Sequence, residues 1–201
     1  MHVRTVVLTL IWAAASAQNP APPAPRVPAG LSAEDVRLQM ETFNRALGVA
    51  CTHCHVADRW TDDSKPPFGT ARGMIRMVRE INGRLLADVG KVSCWSCHGG
   101  QIKPSRLPAP ELDRRLAEWP SGLSDTRKMA MTVYAVTLGV TCDHCHVSGD
   151  WADASKAPMK LVARMIAMFD EFPKYMPPSA RTQCWMCHKG ALQPQVEPPQ
   201  R

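Results

Sequence analysis

The chain has 201 residues and a formal net charge of +6 at pH 7, and only 6% of its residues are aromatic. Its Lys and Arg residues form no basic run and no pattern interleaved with aromatic residues, so the charge does not indicate nucleic-acid binding. The apolar run at residues 6–15 is too short to predict a membrane span. Such a small number of aromatic side chains provides little apolar surface for a core built from side chains alone.

The N-terminal residues 1–17 predict a secretory signal peptide. Arg4 precedes the apolar run, and Ala15, Ser16 and Ala17 form a small-residue cleavage site before Gln18. No cysteine follows that site, so we expect no lipid anchor, and a soluble, periplasmic mature protein. The alternative is an uncleaved signal that anchors the chain. Residues 18–29 are predicted to be a Pro-rich linker and residues 192–201 a disordered tail.

All eight cysteines lie in four copies of the pattern C-x-x-C-H. Disulfides and zinc sites are alternatives, but neither explains a histidine after every second cysteine. The pattern is typical of covalent haem attachment, in which two thiols bind the porphyrin and the histidine ligates its iron. We therefore predict four c-type haems, whose eight propionates would offset the positive charge. The predicted thioether residues are Cys51, Cys54, Cys94, Cys97, Cys142, Cys145, Cys184 and Cys187, and the predicted iron ligands are His55, His98, His146 and His188.

The chain is an internal duplication. A shift of 91 residues places Cys51 on Cys142, and 17 of the 38 positions from Met40 to Met77 are identical under it. We name residues 30–103 the first repeat and residues 122–191 the second repeat, and each is predicted to be a dihaem module. Residues 104–121 are predicted to be the linker between them.

Each repeat is predicted to run helix, motif, loop, helix, motif. In chain order, the helices are expected from Ser32 to Gly48, over about 70–86, from Ser124 to Gly139, and over about 159–172, where Pro173 closes the last one. No alternating strand pattern of useful length is present. The predicted fold class is a small, mostly α multihaem c-type cytochrome with two tandem dihaem repeats, a haem-dominated core and little or no β structure.

Methionine is the expected sixth ligand, because histidine is too scarce. Outside the four ligand histidines the chain has only His2, in the signal peptide, and His53 and His144, which lie inside motifs. Met40 and Met131 each precede a first motif by eleven residues, whereas Met74 and Met165 precede the second motifs by 20 and 19. A thioether is a soft ligand that suits ferrous iron. Met77 and Met168 are rival ligands, and for each methionine ordinary core packing is the alternative.

The combined pattern resembles the tetrahaem cytochrome subunit of photosynthetic reaction centres. The resemblance covers residues 30–191 and rests on LGV before the first motif, then W…K…AR and M-x-x-M, then C-x-x-C-H-x-G. It implies a mostly helical protein with two dihaem repeats and with Met40, Met74 and Met131 as ligands, and it favours Met74 over Met77.

Two departures from that family are visible. The family takes a second histidine for one haem from the loop before the second motif, but residues 84–92 contain none. The fourth haem is therefore left with Met165 or with an open site. The lipid-anchoring cysteine of the family is also absent.

The predicted function is a periplasmic electron carrier that passes single electrons between redox partners, with a reaction centre among the candidates, and not an enzyme. The alternatives are a non-photosynthetic respiratory carrier and a haem redox enzyme with one open site. No catalytic residue, nucleic-acid partner or integral span in the mature chain is expected. Trp60 and Trp151 are expected to wall haem pockets, and the alternative is that they stack on the porphyrin or gate transfer between haems. Four basic residues are expected either to pair with propionates or to be solvated: Lys65, Lys156, Arg72 and Arg164.

Overall fold

A computed structural model describes residues 30–119, 124–177 and 179–199. The predicted signal peptide and Pro-rich linker lie outside these residues. Within them the secondary structure is helical, and the only β pairing is two isolated bridges, Val56 with Arg59 and Val147 with Asp150. The mostly α prediction is confirmed. The helices of the described part are α1 (Ala33–Leu47), α2 (Pro66–Glu80), α3 (Cys94–His98), α4 (Ala109–Leu116), α5 (Asp125–Leu138), α6 (Cys142–Cys145), α7 (Ala157–Phe169) and α8 (Trp185–His188).

Both long N-terminal helices of the repeats end where the sequence predicts. The Ser32 side chain accepts a hydrogen bond from the Asp35 amide (3.1 Å), and the Asp35 carboxylate accepts one from the Ser32 amide (2.9 Å). This reciprocal pair satisfies two amides that have no partner inside helix α1. Gly48 and Gly139 end α1 and α5 in the left-handed conformation, with φ of 65° and 64°.

Three elements differ from the sequence expectation. Helix α2 starts at Pro66, because proline is favoured in the first turn, and it continues into a π-helical turn at Ile81–Leu85. Helix α7 ends at Phe169, and Pro173 instead lies in a short 3-10 turn, Phe172–Lys174. Helix α4 occupies part of the predicted linker and packs against α5.

None of the helices in the described ranges is both long enough and apolar enough to cross a membrane.

One buried apolar cluster joins the two repeats. Met77, Ile81 and Leu86 of the first repeat pack with Met168 and Phe172 of the second, and all five are at most 9% exposed. Removal of these apolar side chains from water stabilises the contact between the two halves. Helix α2 also lies close to the second repeat at a glycine: a Cβ added at position 73 would be 2.9 Å from the carbonyl oxygen of residue 175.

In each repeat an equivalent glycine contact joins the end of the first helix to the loop after the second motif. The Gly100 amide donates to the Ala46 carbonyl (2.9 Å), and the Gly190 amide donates to the Thr137 carbonyl (2.9 Å). A Cβ added at Gly48 or at Gly139 would lie 2.1 Å from the carbonyl oxygen of the glycine opposite. No side chain fits at that distance, so in each repeat a glycine lets the end of the first helix touch the loop after the second motif.

Candidate functional site

The first motif of each repeat is a short helical turn at the surface. Cys51–His53 form a 3-10 turn and Cys142–Cys145 form α6. The Nδ1 atom of His55 lies 2.7 Å from the carbonyl oxygen of Trp60, and that of His146 lies 3.1 Å from the carbonyl oxygen of Trp151. Both tryptophan rings stand edge-on to these histidines, with centroids 6.0 and 5.7 Å away. The tryptophans therefore hold the imidazoles through backbone and ring together.

The second motif of each repeat is more regular and less exposed. Helix α3 contains the whole second motif of the first repeat, and α8 contains that of the second repeat except Cys184, which is its N-cap. Each helix is followed by a residue in the left-handed conformation, Gly99 or Lys189. The Nδ1 atom of His98 lies 3.0 Å from the Gln101 carbonyl oxygen, and that of His188 lies 3.0 Å from the Ala191 carbonyl oxygen. These acceptors are three residues beyond the histidine, whereas those of the first motifs are five residues beyond it.

All four motif histidines thus share one hydrogen-bonding state. A carbonyl oxygen only accepts, so each Nδ1 carries a proton, and in the neutral form of such a ring the lone pair is on Nε2. Burial lowers the pKa of His98 below its ordinary value, which favours this neutral form. A backbone acceptor on the second nitrogen is the usual way in which proteins orient a metal-ligating histidine. The four residues therefore fit the role of iron ligands.

The cysteines differ between the two kinds of motif. Cys51 and Cys142 are exposed free thiols. Burial raises the pKa of Cys94 and Cys184, and it also raises that of Cys54 and Cys145, where the charge of a nearby lysine opposes it. These six side chains are free to form thioethers.

The remaining two cysteines form a disulfide that the sequence did not predict. Cys97 and Cys187, the second cysteines of the second motifs, are bonded to each other with their Cα atoms 4.2 Å apart. They meet because α3 packs against α8 across the molecule. A sulfur in a disulfide has no valence left for a thioether. Haem attachment at these two positions therefore requires both thiols to be reduced.

The methionines predicted as ligands fall into two groups. Met40 lies on α1 and Met131 on α5, where its side chain is 37% exposed. Met74 and Met165 are partly buried at the edge of the apolar cluster that joins the repeats. Their rivals, Met77 and Met168, are buried inside that cluster. A methionine surrounded by core side chains has less room to reach a second group than one at the edge.

A large apolar cavity of about 740 Å³ lies beside the fourth motif. Cys184 and His188 line it, and so do Met165 and its rival Met168 from α7. Residues 89–92 of the first repeat, which include part of the histidine-free loop, form another part of its wall. His144 of the third motif lines it as well. The cavity therefore brings together a thiol, a histidine and a thioether, with a second histidine in its lining.

The zinc alternative finds no support in residues 30–119, 124–177 and 179–199. These ranges contain no group of three His, Cys, Asp or Glu side chains placed to hold a metal ion. A structural zinc site needs four such ligands around one point.

Two lysines contact the first motifs in a way that the sequence did not predict. The Lys65 ammonium donates to the Thr52 carbonyl, and the Lys156 ammonium donates to the Asp143 carbonyl. Both acceptors are the residue after the first motif cysteine. The only sequence signal was that these lysines occupy equivalent positions under the 91-residue shift.

Comparison with known proteins confirms the predicted resemblance. Residues 16–87 match the model of the family described as the photosynthetic reaction centre cytochrome C subunit. This stretch contains the first motif, Met40 and Met74.

Two curated relatives agree with that match. The chain is 32% identical over 102 residues to the photosynthetic reaction center cytochrome c subunit of Rubrivivax gelatinosus, covering 39% of this chain and 28% of that protein. It is 31% identical over 75 residues to cytochrome c-554 of Chloroflexus aurantiacus, covering 34% of this chain and 18% of that protein. The alignments thus span less than a third of the length of either relative.

Proposed function

We propose that this chain is a periplasmic tetrahaem c-type cytochrome that transfers single electrons between redox partners, with two haems in each repeat. The observation that carries the proposal is the common state of His55, His98, His146 and His188, each with Nδ1 bonded to a backbone carbonyl. Covalently bound haem supplies one-electron chemistry. The similarity to proteins named as cytochromes supports the same cofactor.

The chain's own residues have three tasks in this proposal. The cysteines anchor the cofactor, and the histidines offer an oriented Nε2 atom to its iron. Met40, Met74, Met131 and Met165 are the proposed sixth ligands. The position of Met74 and Met165 at the edge of the apolar cluster, with Met77 and Met168 inside it, supports the choice between the rivals. The cavity beside Cys184 and His188, which both Met165 and Met168 line, supports a methionine ligand at the fourth site.

Contact between α3 and α8 supports electron transfer from one repeat to the other. Cys97 and Cys187 are anchor residues of different repeats, and their Cα atoms are 4.2 Å apart. Groups attached at these two positions would be close neighbours. We propose that the second motifs form the passage between the repeats.

A redox protein in the membrane, such as a photosynthetic reaction centre, is the proposed partner class. The family match and the Rubrivivax relative support it. A respiratory partner is the alternative.

The test of the cofactor is to express the full chain in a host that attaches haem and to measure its intact mass and its redox titration. We expect the mass of the chain after signal cleavage plus four haems, and four one-electron steps. A mass with fewer haems, or one that retains a Cys97–Cys187 disulfide, would contradict the tetrahaem assignment.

The sixth ligand of the fourth haem is tested with a matched pair of variants, Met165→Leu and Met168→Leu. We expect Met165→Leu to remove one part in four of the methionine-to-iron charge-transfer band and to produce a high-spin signal. Met168→Leu should leave both spectra unchanged. If the wild type already has a high-spin haem, the fourth site is open and the enzyme alternative is favoured.

A further inference from the structure

Lys65 and Lys156 make the same contact in the two repeats, thirteen residues after the carbonyl that each one binds. Their ammonium groups donate to the carbonyls of Thr52 and Asp143. Both side chains are partly buried. Holding a lysine side chain in one conformation costs up to about 2 kcal/mol of side-chain entropy. Two lysines in equivalent contacts are therefore unlike the freely solvated lysines of a protein surface.

The backbone of each lysine begins a helix. Lys65 is the N-cap of α2 and Lys156 is the N-cap of α7, and both have extended backbone angles. These helices contain the proposed ligands of the second motifs, Met74 and Met165. One residue thus connects the turn of the first motif to the start of the helix that serves the second motif.

The segments that end in these lysines, residues 60–65 and 151–156, share the pattern W-x-D-x-S-K. The tryptophan carbonyl binds the motif histidine, as described above. The aspartate two residues later accepts the amide of Ser64 (2.9 Å) in the first repeat and of Ser155 (2.7 Å) in the second. Each segment is therefore fixed to its motif at both ends and stiffened between them.

The lysine charge also acts on the motif itself. Each ammonium group is held at a backbone carbonyl that lies between the two cysteines of the motif. A positive charge near a redox centre favours the form that has gained an electron.

The two lysines differ in their acidic surroundings. The pKa of Asp143 is lowered chiefly by the hydrogen bond from Thr141, and that of Asp153 chiefly by hydrogen bonds from Ser155. The charge of Lys156 lowers both further, so two carboxylates lie in its field. Thr52 stands where the second repeat has Asp143, and the lowered pKa of Asp62 arises from Ser64 and Arg59 instead. The field of Lys65 is therefore less compensated.

We infer that Lys65 and Lys156 are positioning residues for the first haem of each repeat, an inference that rests on the proposed function. Each holds the turn between the two motif cysteines against the following helix and raises the reduction potential of the haem attached there. The effect is larger for Lys65 than for Lys156.

The experiment compares Lys65→Met, Lys65→Arg, Lys156→Met and Lys156→Arg in the full haem-containing protein. Exposed Lys160 on α7, which has no hydrogen bond or ion pair to a motif within the described residues, supplies the control Lys160→Met. Redox titrations give the four midpoint potentials, and intact mass gives the haem count. We expect Lys65→Met to lower one midpoint potential, by an amount that corresponds to a roughly threefold to tenfold decrease in the equilibrium constant for reduction of that haem. Lys156→Met should lower a different midpoint by less.

The arginine variants distinguish a positioning role of the lysines from a general effect on folding. Arginine keeps the charge and can donate to the same carbonyl, so both arginine variants should retain wild-type potentials. If a methionine variant fails to assemble, restoration of its haem count by arginine supports the positioning role. The positioning role would be overturned if the arginine and methionine variants at both positions all failed to assemble with haem. It would also be overturned if all four midpoint potentials were unchanged in both methionine variants, or if Lys160→Met shifted a midpoint potential by an equal amount.

The haem count of the wild type keeps this test distinct from that of the function. Fewer than four haems in the wild type would refute the tetrahaem proposal. A wild type with four haems and unchanged potentials in the lysine variants would refute only the role of the lysines.

Discussion

The first and second motifs share the sequence C-x-x-C-H but are held by different parts of the molecule. Each first motif is held by a segment of its own repeat through contacts that span five and thirteen residues of sequence. These contacts come from Trp60 and Lys65 in the first repeat and from Trp151 and Lys156 in the second. The second motifs are held by distant contacts, with α3 packed on α8 and the glycine contacts to the first helices.

The difference separates local from global stability. A motif held by nearby residues keeps its geometry through small openings of the protein, whereas one held by distant elements depends on the whole fold. We therefore expect changes at the glycine contacts to disturb the second motifs and the fold together, and changes at the lysines to act on one haem.

The largest expected effect is that of Gly139→Ala. The new Cβ would lie 2.1 Å from the Gly190 carbonyl oxygen, at a residue with φ of 64°, so both the contact and the backbone are penalised. We expect a loss of at least about 3 kcal/mol in the free energy of unfolding, measured by denaturant titration of the haem-containing protein.

Gly69→Ala is the matched control. Position 69 lies in α2 with open space around it, so alanine should be neutral or should stabilise by up to about 1 kcal/mol. Equal stability of the two variants would show that the glycine contact does not hold the second motif.

A smaller effect of opposite sign is expected at Thr137. Its side chain is fully buried beside the Gly190 contact, and its hydroxyl has no hydrogen-bond partner among the described residues. Ala46 occupies the equivalent position of the first repeat. Thr137→Val removes this unpaired group at nearly constant shape and should stabilise the protein by about 1 kcal/mol, measured by the same titration.

Thr132 provides the comparison. It is also buried, but its hydroxyl donates to the Lys128 carbonyl (2.7 Å), so Thr132→Val should destabilise the protein by about 1 kcal/mol. Destabilisation by both valine variants would mean that the Thr137 hydroxyl has a partner after all.

The smallest effect concerns an ion pair that bridges the repeats. Arg164 donates to both carboxylate oxygens of Asp88 (3.1 and 2.7 Å), and this contact lowers the pKa of Asp88 below its ordinary value of 3.8. A lowered folded-state pKa contributes stability that is present above the ordinary value and is lost as the pH falls through the folded value.

Asp88→Asn should therefore be slightly less stable than wild type at pH 7, and the difference should vanish at acidic pH below the folded-state pKa. Thermal unfolding of both proteins across this range measures it, and high salt should reduce it because the pair is exposed. A difference that is the same at every pH would assign the effect to packing.

Much of the fold was predictable because its signals are local. Ser32 and Gly48 mark the ends of α1 by the chemistry of their own side chain and backbone, and Gly139 does the same for α5. Helix α4 was missed because it is short, follows Pro108 and has Pro110 in its first turn, and because its packing against α5 is a tertiary contact that periodicity does not reveal.

The same division applies to the candidate site. The spacing of cysteine and histidine predicts which residues form each motif, since that chemistry is written in five consecutive positions. The meeting of Cys97 with Cys187 depends on how two helices 90 residues apart pack, and no local signal encodes it. The sequence showed Lys65 only as a lysine repeated at the equivalent position of the second repeat. Its role was not predictable because its hydrogen-bond acceptor is a backbone carbonyl, which carries no sequence signal.

The shared apolar cluster has a consequence for the history of the chain. Met77 of the first repeat and Met168 of the second are equivalent under the 91-residue shift, and both are buried in it. The two halves thus meet through corresponding surfaces, as the subunits of a two-fold symmetric dimer do. An ancestor with a single repeat would have left this surface open to water unless a second copy covered it. The present chain has the organisation expected of such a homodimer after gene duplication and fusion, with α4 in the segment that joins the former subunits.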